Sequence, residues 1–265
     1  MRWEDLTEPE FSKAVKTTRG VCLLPIGCME RHGDHLPLGT DLYMAEDLAT
    51  RAADKEPSIV FPPYMFAQIN EARCFPGTIA LSPALLLELL TAVCDEIARN
   101  GFKKIVIVNC HGGNKDLLNY FMMSILHSRK DYVVFFPGLL SDPDKKKWDQ
   151  LLKTSYHGHA CECETSLVLA TRPELAKMKA LKGKKAPPLG RLAHLPPGNV
   201  MGWWYADHPE HYAGDATPAT AETGRQLLQL RIDSLAQYVA AVKKDTVAQK
   251  LLNEFYDRCD NLGKP

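Results

Sequence analysis

The chain has 265 residues, with 32 basic residues set against 32 acidic ones, 45% hydrophobic and 24% charged. That neutral balance gives no basis for binding nucleic acid or an anionic membrane surface, and no stretch approaches the roughly 18 apolar residues of a membrane span. The length suits one large α/β domain with a substantial core, which we expect to cover residues 1–265.

The opening Met1-Arg-Trp-Glu-Asp-Leu-Thr7 lacks the apolar centre of a signal peptide. A cytoplasmic, reducing setting is therefore expected, in which the eight cysteines stay free. Cys22, Cys28, Cys94 and Cys259 read as small buried or half-buried side chains. The first strand is expected at Val21–Ile26, a short apolar run. It feeds into a polar segment carrying Glu30, His32, Asp34, His35 and Asp41. A second strand is expected at Ser58–Pro62. Ser82 as N-cap and Pro83 at the first helical position open a helix that runs through Ile97 and stops at Asn100-Gly101. The strand Lys104–Asn109 leads into Asn109-Cys-His111-Gly-Gly-Asn114 and then a helix over about 115–129. Another strand is expected at Tyr132–Phe136. The cluster His157-Gly-His159-Ala-Cys-Glu162-Cys-Glu164-Thr-Ser166 precedes a helix starting near Glu164 and ending before Pro173. Residues 177–197 are rich in Lys, Gly and Pro and read as a surface excursion; residues 220–256 are helical in pattern, broken near Asp245. Strand-like and helix-like segments alternate, which predicts an α/β layered sandwich with a mainly parallel central sheet flanked by helices.

Five of the nine histidines fall in the three polar clusters, which scatter would rarely produce. Two of these clusters directly follow predicted strands, where α/β sheets place their chemistry. Imidazoles and carboxylates without a dominant thiolate set suit Zn²⁺, Mn²⁺ or Fe²⁺. Glu30, His32, Asp41, His111 and a glutamate near 162 are enough ligands for two ions, with a carboxylate between them. The plainer alternatives are a solvated polar loop, a His111 that hydrogen-bonds backbone, and a Glu162 or Glu164 that merely caps the next helix. Cys161-Glu-Cys163 lacks the C-x-x-C spacing of a zinc motif.

These segments, with Gly214-Asp-Ala-Thr-Pro218-Ala-Thr-Ala-Glu-Thr-Gly224, strongly resemble the creatininase (creatinine amidohydrolase) family, in order and spacing, over about residues 15–240. The resemblance implies a parallel sheet flanked by helices, a two-metal site at the strand ends, and a homo-oligomer, often a hexamer. It implies that Glu30 and His111 hold one metal, that His32 contributes to the other, that Asp41 bridges them, and that His159 is the acid/base serving the leaving group. Creatininase proper carries Tyr-Glu where this chain has Gly112-Gly113, so one ligand is lost. Glu162 is the expected replacement, in preference to Glu164, whose place suits helix capping or support of the ligands. Asn114 and His35 are further candidates for supporting ligands or contacting substrate, and Arg31 and Asp34 could orient either. The family's tryptophan before the catalytic histidine is missing, and Trp203-Trp204 could wall the pocket instead or form core or subunit contacts.

The expected activity is therefore metal-assisted hydrolysis of an amide-type C–N bond in a small cyclic or formylated molecule. Zinc is the first candidate for the two ions, with manganese or iron as the others. Hydrolytic C–C opening of a keto-inositol ring, peptide trimming in a cofactor pathway, and a non-catalytic metal-stabilised binding protein are the rival readings.

Overall fold

A computed structural model describes residues 1–138 and 140–263. Its elements run α1 (Glu8–Thr17), β1 (Val21–Ile26), α2 (Thr40–Lys55), β2 (Ile59–Val60), α3 (Pro83–Arg99), β3 (Lys104–Asn109), α4 (Asn114–Ser124), β4 (Val133–Phe135), α5 (Asp142–Leu151), β5 (His157–His159), α6 (Glu162–Thr171), α7 (Trp203–Asp207), β6 (Ala213–Gly214), α8 (Ala221–Lys244) and α9 (Ala248–Asp260). Four strands form a parallel sheet of order β2-β1-β3-β4, with β1 and β3 paired along their whole length from Val21–Lys104 to Ile26–Asn109.

The continuous apolar runs of β1 and β3 are explained by burial on both faces, as parallel strands require. Val21, Leu23, Val106 and Val108 point to one side, against Ala45, Leu48, Ala49 and Ala52 of α2 and Leu227, Ile232, Leu235 and Val239 of α8. Cys22, Leu24, Ile26, Ile105 and Ile107 point to the other, against Leu90, Cys94 and Ile97 of α3 and Leu118 and Phe121 of α4. Helices thus cover both faces of the sheet, the layering the alternating pattern predicts.

The Ser82 cap is present, its hydroxyl accepting from Leu85 N, and Asn100 closes α3. Asp245 ends α8. The expected strand at Ser58–Pro62 shrinks to Ile59–Val60, and the helix expected to reach 129 ends at Ser124, followed by one 3-10 turn. Asp41 does not lie in a loop: it occupies the first turn of α2, where the helix dipole favours a carboxylate. The antiparallel pair β5-β6, with an irregular register between His157 and His159, had no clear sequence signal.

Helices α6 and α8 touch at Gly224, where a Cβ would fall 1.8 Å from the Ser166 carbonyl oxygen. Gly224→Ala must push the two helices apart, and we expect a loss of about 3 kcal/mol. Urea unfolding checks this, and an unchanged midpoint would show that the contact yields freely.

Candidate metal centre

All three polar clusters converge at the carboxyl ends of β1 and β3. The loop after β1 supplies Glu30 and His32, the first turn of α2 supplies Asp41, the turn after β3 supplies His111, and the β5–α6 segment supplies His159 and Glu164. Glu30, His32, Asp41, His111 and His159 are buried, the first four at 5% exposure or less. The ligand-type atoms fall into overlapping groups within 4.8 Å of one another: Cys28, Glu30, Asp41 and His111; Glu30, His32 and His159; and His32, Asp41 and Glu164.

Each ring is oriented by its second nitrogen, the usual way proteins aim a metal-binding histidine. His111 Nε2 donates to the Gln68 carbonyl at 2.8 Å, so Nδ1 is left facing Glu30 Oε1 at 2.8 Å and Asp41 Oδ2 at 2.9 Å. His32 Nδ1 lies 3.3 Å from the Glu30 carbonyl, and Nε2 faces Asp41 Oδ1 at 3.1 Å. The two oxygens of Asp41 are thus divided between two imidazoles, as a bridging carboxylate's would be. Carboxylate oxygens only accept, so each facing nitrogen must carry a proton or share a cation with them.

The electrostatics make the same demand. Burial works to lower both imidazoles, but Glu30 and Asp41 hold His111 well above its usual range, and Asp41 raises His32 to about 9. Despite burial, the charge and hydrogen bond of His111 and the hydrogen bond from His211 hold Glu30 well below the usual carboxylate range. Glu164, a half-buried residue, is raised to about 8 by withdrawal of its carboxyl from water and, further, by the nearby Asp41 charge. Glu30, Asp41 and Glu164 hydrogen-bond to no lysine or arginine among the described residues. Positive charge placed among them would stabilise all three, and the oxygen-and-imidazole donor set fits divalent transition ions.

Glu162 requires a correction. Its carboxylate accepts from Lys153 N at 3.0 and 2.9 Å, Thr154 N at 2.7 Å and Thr154 Oγ1 at 2.8 Å, and it joins none of the ligand groups. The reason is helical geometry. Glu162 and Glu164 are two residues apart in the first turn of α6, roughly 200° around the axis, so only one can face the centre. That one is Glu164, whose Oε2 also accepts from Ala160 N at 2.5 Å.

The other candidates act at a distance from the ligand atoms. Asn114 is buried, donates to Asn109 Oδ1 and accepts from Gln68 N, which places the carbonyl that holds His111. His35 Nε2 lies 2.9 Å from Thr165 Oγ1 and so braces α6. Arg31 pairs with Asp34 and Glu210 and stacks over Phe75.

Two contributors, Cys28 and His211, escaped the sequence reading, and Trp204, read there as a candidate wall of the pocket, joins them. Cys28 places its thiol 3.1 Å from Glu30 Oε1 and 3.2 Å from Asp41 Oδ2, where burial and both carboxylates push it well above its usual range. Trp204 Nε1 donates to His211 Nδ1 at 2.9 Å, which leaves His211 Nε2–H to donate to Glu30 Oε2 at 2.5 Å. Trp204 therefore belongs to the site, while Trp203 is 55% exposed. His211 sits at a left-handed φ of 50°, an unusual backbone for a non-glycine residue, and this is the contact it serves. The sequence signal was a histidine three residues past His208, but nothing tied it to Glu30. We expect His211→Ala to lower metal affinity about 10–100-fold, measured by competition with a chelator; unchanged affinity would reduce the Trp204–His211–Glu30 chain to packing.

The family assignment rests on more than this geometry. Residues 4–239 match the Creatininase family, described as creatinine amidohydrolase. A mycofactocin precursor peptide peptidase from Mycolicibacterium smegmatis is 29% identical over 84% of this chain and 85% of its own length. A 3-dehydro-scyllo-inosose hydrolase from Thermotoga maritima is 24% identical over 86% of this chain and 79% of its own. A solved structure titled "Creatininase Mn" superposes with a TM-score of 0.77 at 23% identity, covering 92% of this chain and 99% of that one. No helix among the described residues is long and apolar enough to cross a membrane. The chain belongs to the creatininase family of metal-dependent amidohydrolases.

Proposed function

We propose that this enzyme hydrolyses an amide-type C–N bond in a small cyclic or formylated molecule at a centre of two divalent ions, zinc as the resident metal and manganese or iron as its competitors. The observation that carries the reading is Asp41, whose two oxygens each face one ring nitrogen of His111 and His32. Glu30, Asp41 and His111 would hold one ion; His32, Asp41 and Glu164 would hold the other, with Glu164 replacing the ligand lost at Gly113. A Cβ at Gly113 would fall 2.5 Å from His111 Nε2 and 2.9 Å from Glu71 Oε1, so that position no longer has room for a ligand side chain.

Bound ions would polarise the scissile carbonyl and bring the pKa of a water toward neutrality. The protein's own part is proton handling. His159 Nε2 lies 2.7 Å from the Arg31 carbonyl, so it carries the hydrogen and Nδ1 holds the lone pair. Burial, aided by His32 and His211, lowers this ring to about 3 despite Glu30, which keeps it neutral. We assign this ring the proton relay from the attacking water to the departing nitrogen: held near 3 it gives a proton up readily, and it would take one only from a water already acidified by the ions. Its ring lies 4.2 Å from His32 and 4.4 Å from His211, centre to centre, with Trp204 edge-on at 6.1 Å.

The test is a panel of cyclic amides, formylated amines, short peptides and keto-inositols, each assayed with Zn²⁺, Mn²⁺ and Fe²⁺. Release of an amine or ammonia is the expected result. Opening of a keto-inositol with no nitrogen released would instead support C–C hydrolysis, the reading that the Thermotoga relative favours. Short peptides are included because the Mycolicibacterium relative is a peptidase. We place the enzyme in the cytoplasm as a homo-oligomer, hexameric by family resemblance, with the exposed Leu189, Met201, Trp203 and Tyr205 as the apolar surface such an assembly would cover.

A further inference from the structure

A second ligand cluster lies on the same short segment and shares no residue with the first. One ligand atom each from His157, Cys161 and Cys163 lies within 4.8 Å of the others. The two sulfurs are 3.4 Å apart. That is far beyond a disulfide's S–S length of about 2.05 Å, and a few tenths short of the roughly 3.8 Å that two Zn–S bonds of about 2.3 Å span at a tetrahedral angle.

Three features hold these residues in place. Cys161 is the N-cap residue of α6 and Cys163 lies in its first turn, so the helix dipole favours thiolate there. Gly214 lets Cys161 approach: its φ is +126°, and a Cβ on it would fall 2.8 Å from Cys161 Cβ. His157 is oriented by a relay. Thr154 Oγ1 gives its hydrogen to Glu162 Oε2 at 2.8 Å, so it can only accept from His157 Nδ1 at 3.2 Å, which leaves Nε2 as the ring's lone-pair nitrogen. The buried Glu162, which has no place at the first centre, thus stands behind a metal-type histidine as an outer carboxylate.

We propose that His157, Cys161 and Cys163 form a second metal site, distinct from the Glu30–Asp41 centre, for one thiophilic ion of the Zn²⁺ or Cd²⁺ type. Three protein ligands leave a fourth position for water or an added ligand, and His157 and Cys163 are only partly buried, so the ion can exchange. It would clamp β5 to the start of α6, the segment that presents His159 and Glu164.

Reduced protein stripped of all metal is titrated anaerobically with Co²⁺, and the sulfur-to-cobalt charge-transfer band, to which an oxygen-and-imidazole centre does not contribute, is followed. The expected result is a band whose final intensity corresponds to one thiolate-bound Co²⁺ per chain, is lost in Cys161→Ser and in Cys163→Ser, and survives Cys28→Ser. Circular dichroism and the zinc content of the first centre before stripping show whether each variant is folded. Since Cys163 packs against the core, His157→Ala is the second probe; it is expected to weaken Co²⁺ binding about tenfold or more. No band in the parent protein, a band indifferent to Cys161 and Cys163, or one lost with Cys28→Ser would overturn the proposal.

Discussion

Asp41→Asn is expected to remove most of the bound metal, from about two ions per chain to fewer than one, and with it all measurable turnover. The substitution keeps the shape of the side chain and its place in the first turn of α2, but an amide presents one acceptor oxygen and one NH₂ group where the carboxylate presents two acceptors. In the present arrangement Oδ1 faces His32 Nε2 and Oδ2 faces His111 Nδ1. An amide cannot satisfy both sides, and it removes a negative charge from the middle of the cluster. Metal analysis of the purified variant checks this. A variant retaining two ions would mean that Asp41 is a hydrogen-bonding neighbour and not the bridge.

His159→Ala should behave in the opposite way. Metal content and thermal stability are expected to stay close to those of the parent, while turnover falls about 10²–10⁴-fold, the usual worth of a positioned acid/base. The distinction follows from position. His159 lies 3.7 Å from Glu30 Oε2 and hydrogen-bonds a backbone carbonyl, whereas His32 and His111 each direct a nitrogen at Asp41. A scaffold protein needs its ligands but has no use for this imidazole. If a substrate is found and the variant turns it over normally, His159 is structural, or a ligand whose loss is tolerated.

The main layers of the fold were legible because β1 and β3 are apolar on both faces and α3 carries a serine cap, a proline and a clean stop. Helix α2 was harder to see. Its N-cap is Gly39, with no side-chain cap, and its buried face is built largely from small alanines: Ala45, Ala49, Ala52 and Ala53. Helix α1 did carry a signal, the capping box of Thr7 and Glu10, both of whose hydrogen bonds form.

In the site, Glu30, His32, Asp41 and His111 stood out in the sequence because they lie in polar segments that follow the apolar runs of β1 and β3. The choice between Glu162 and Glu164 could not be made from composition, since both are glutamates in one helical turn. The folded chain separates them: the backbone amides of Lys153 and Thr154 hold the Glu162 carboxylate. His211 and Cys28 were invisible for a different reason: their partners are Glu30 and Asp41, and only the folded chain brings His211 across 181 positions to Glu30.

Metal content per chain in the native protein, beside Glu164→Gln and Glu162→Gln, tests the two-ion centre most directly. The expected result is about two ions in the native chain at the Glu30–Asp41 centre, about one in Glu164→Gln, and no loss from that centre in Glu162→Gln, with zinc at the thiol cluster counted separately through Cys161→Ser. One ion in the native protein, unchanged by Glu164→Gln, would contradict the two-ion centre and leave Asp41 with a single metal to serve.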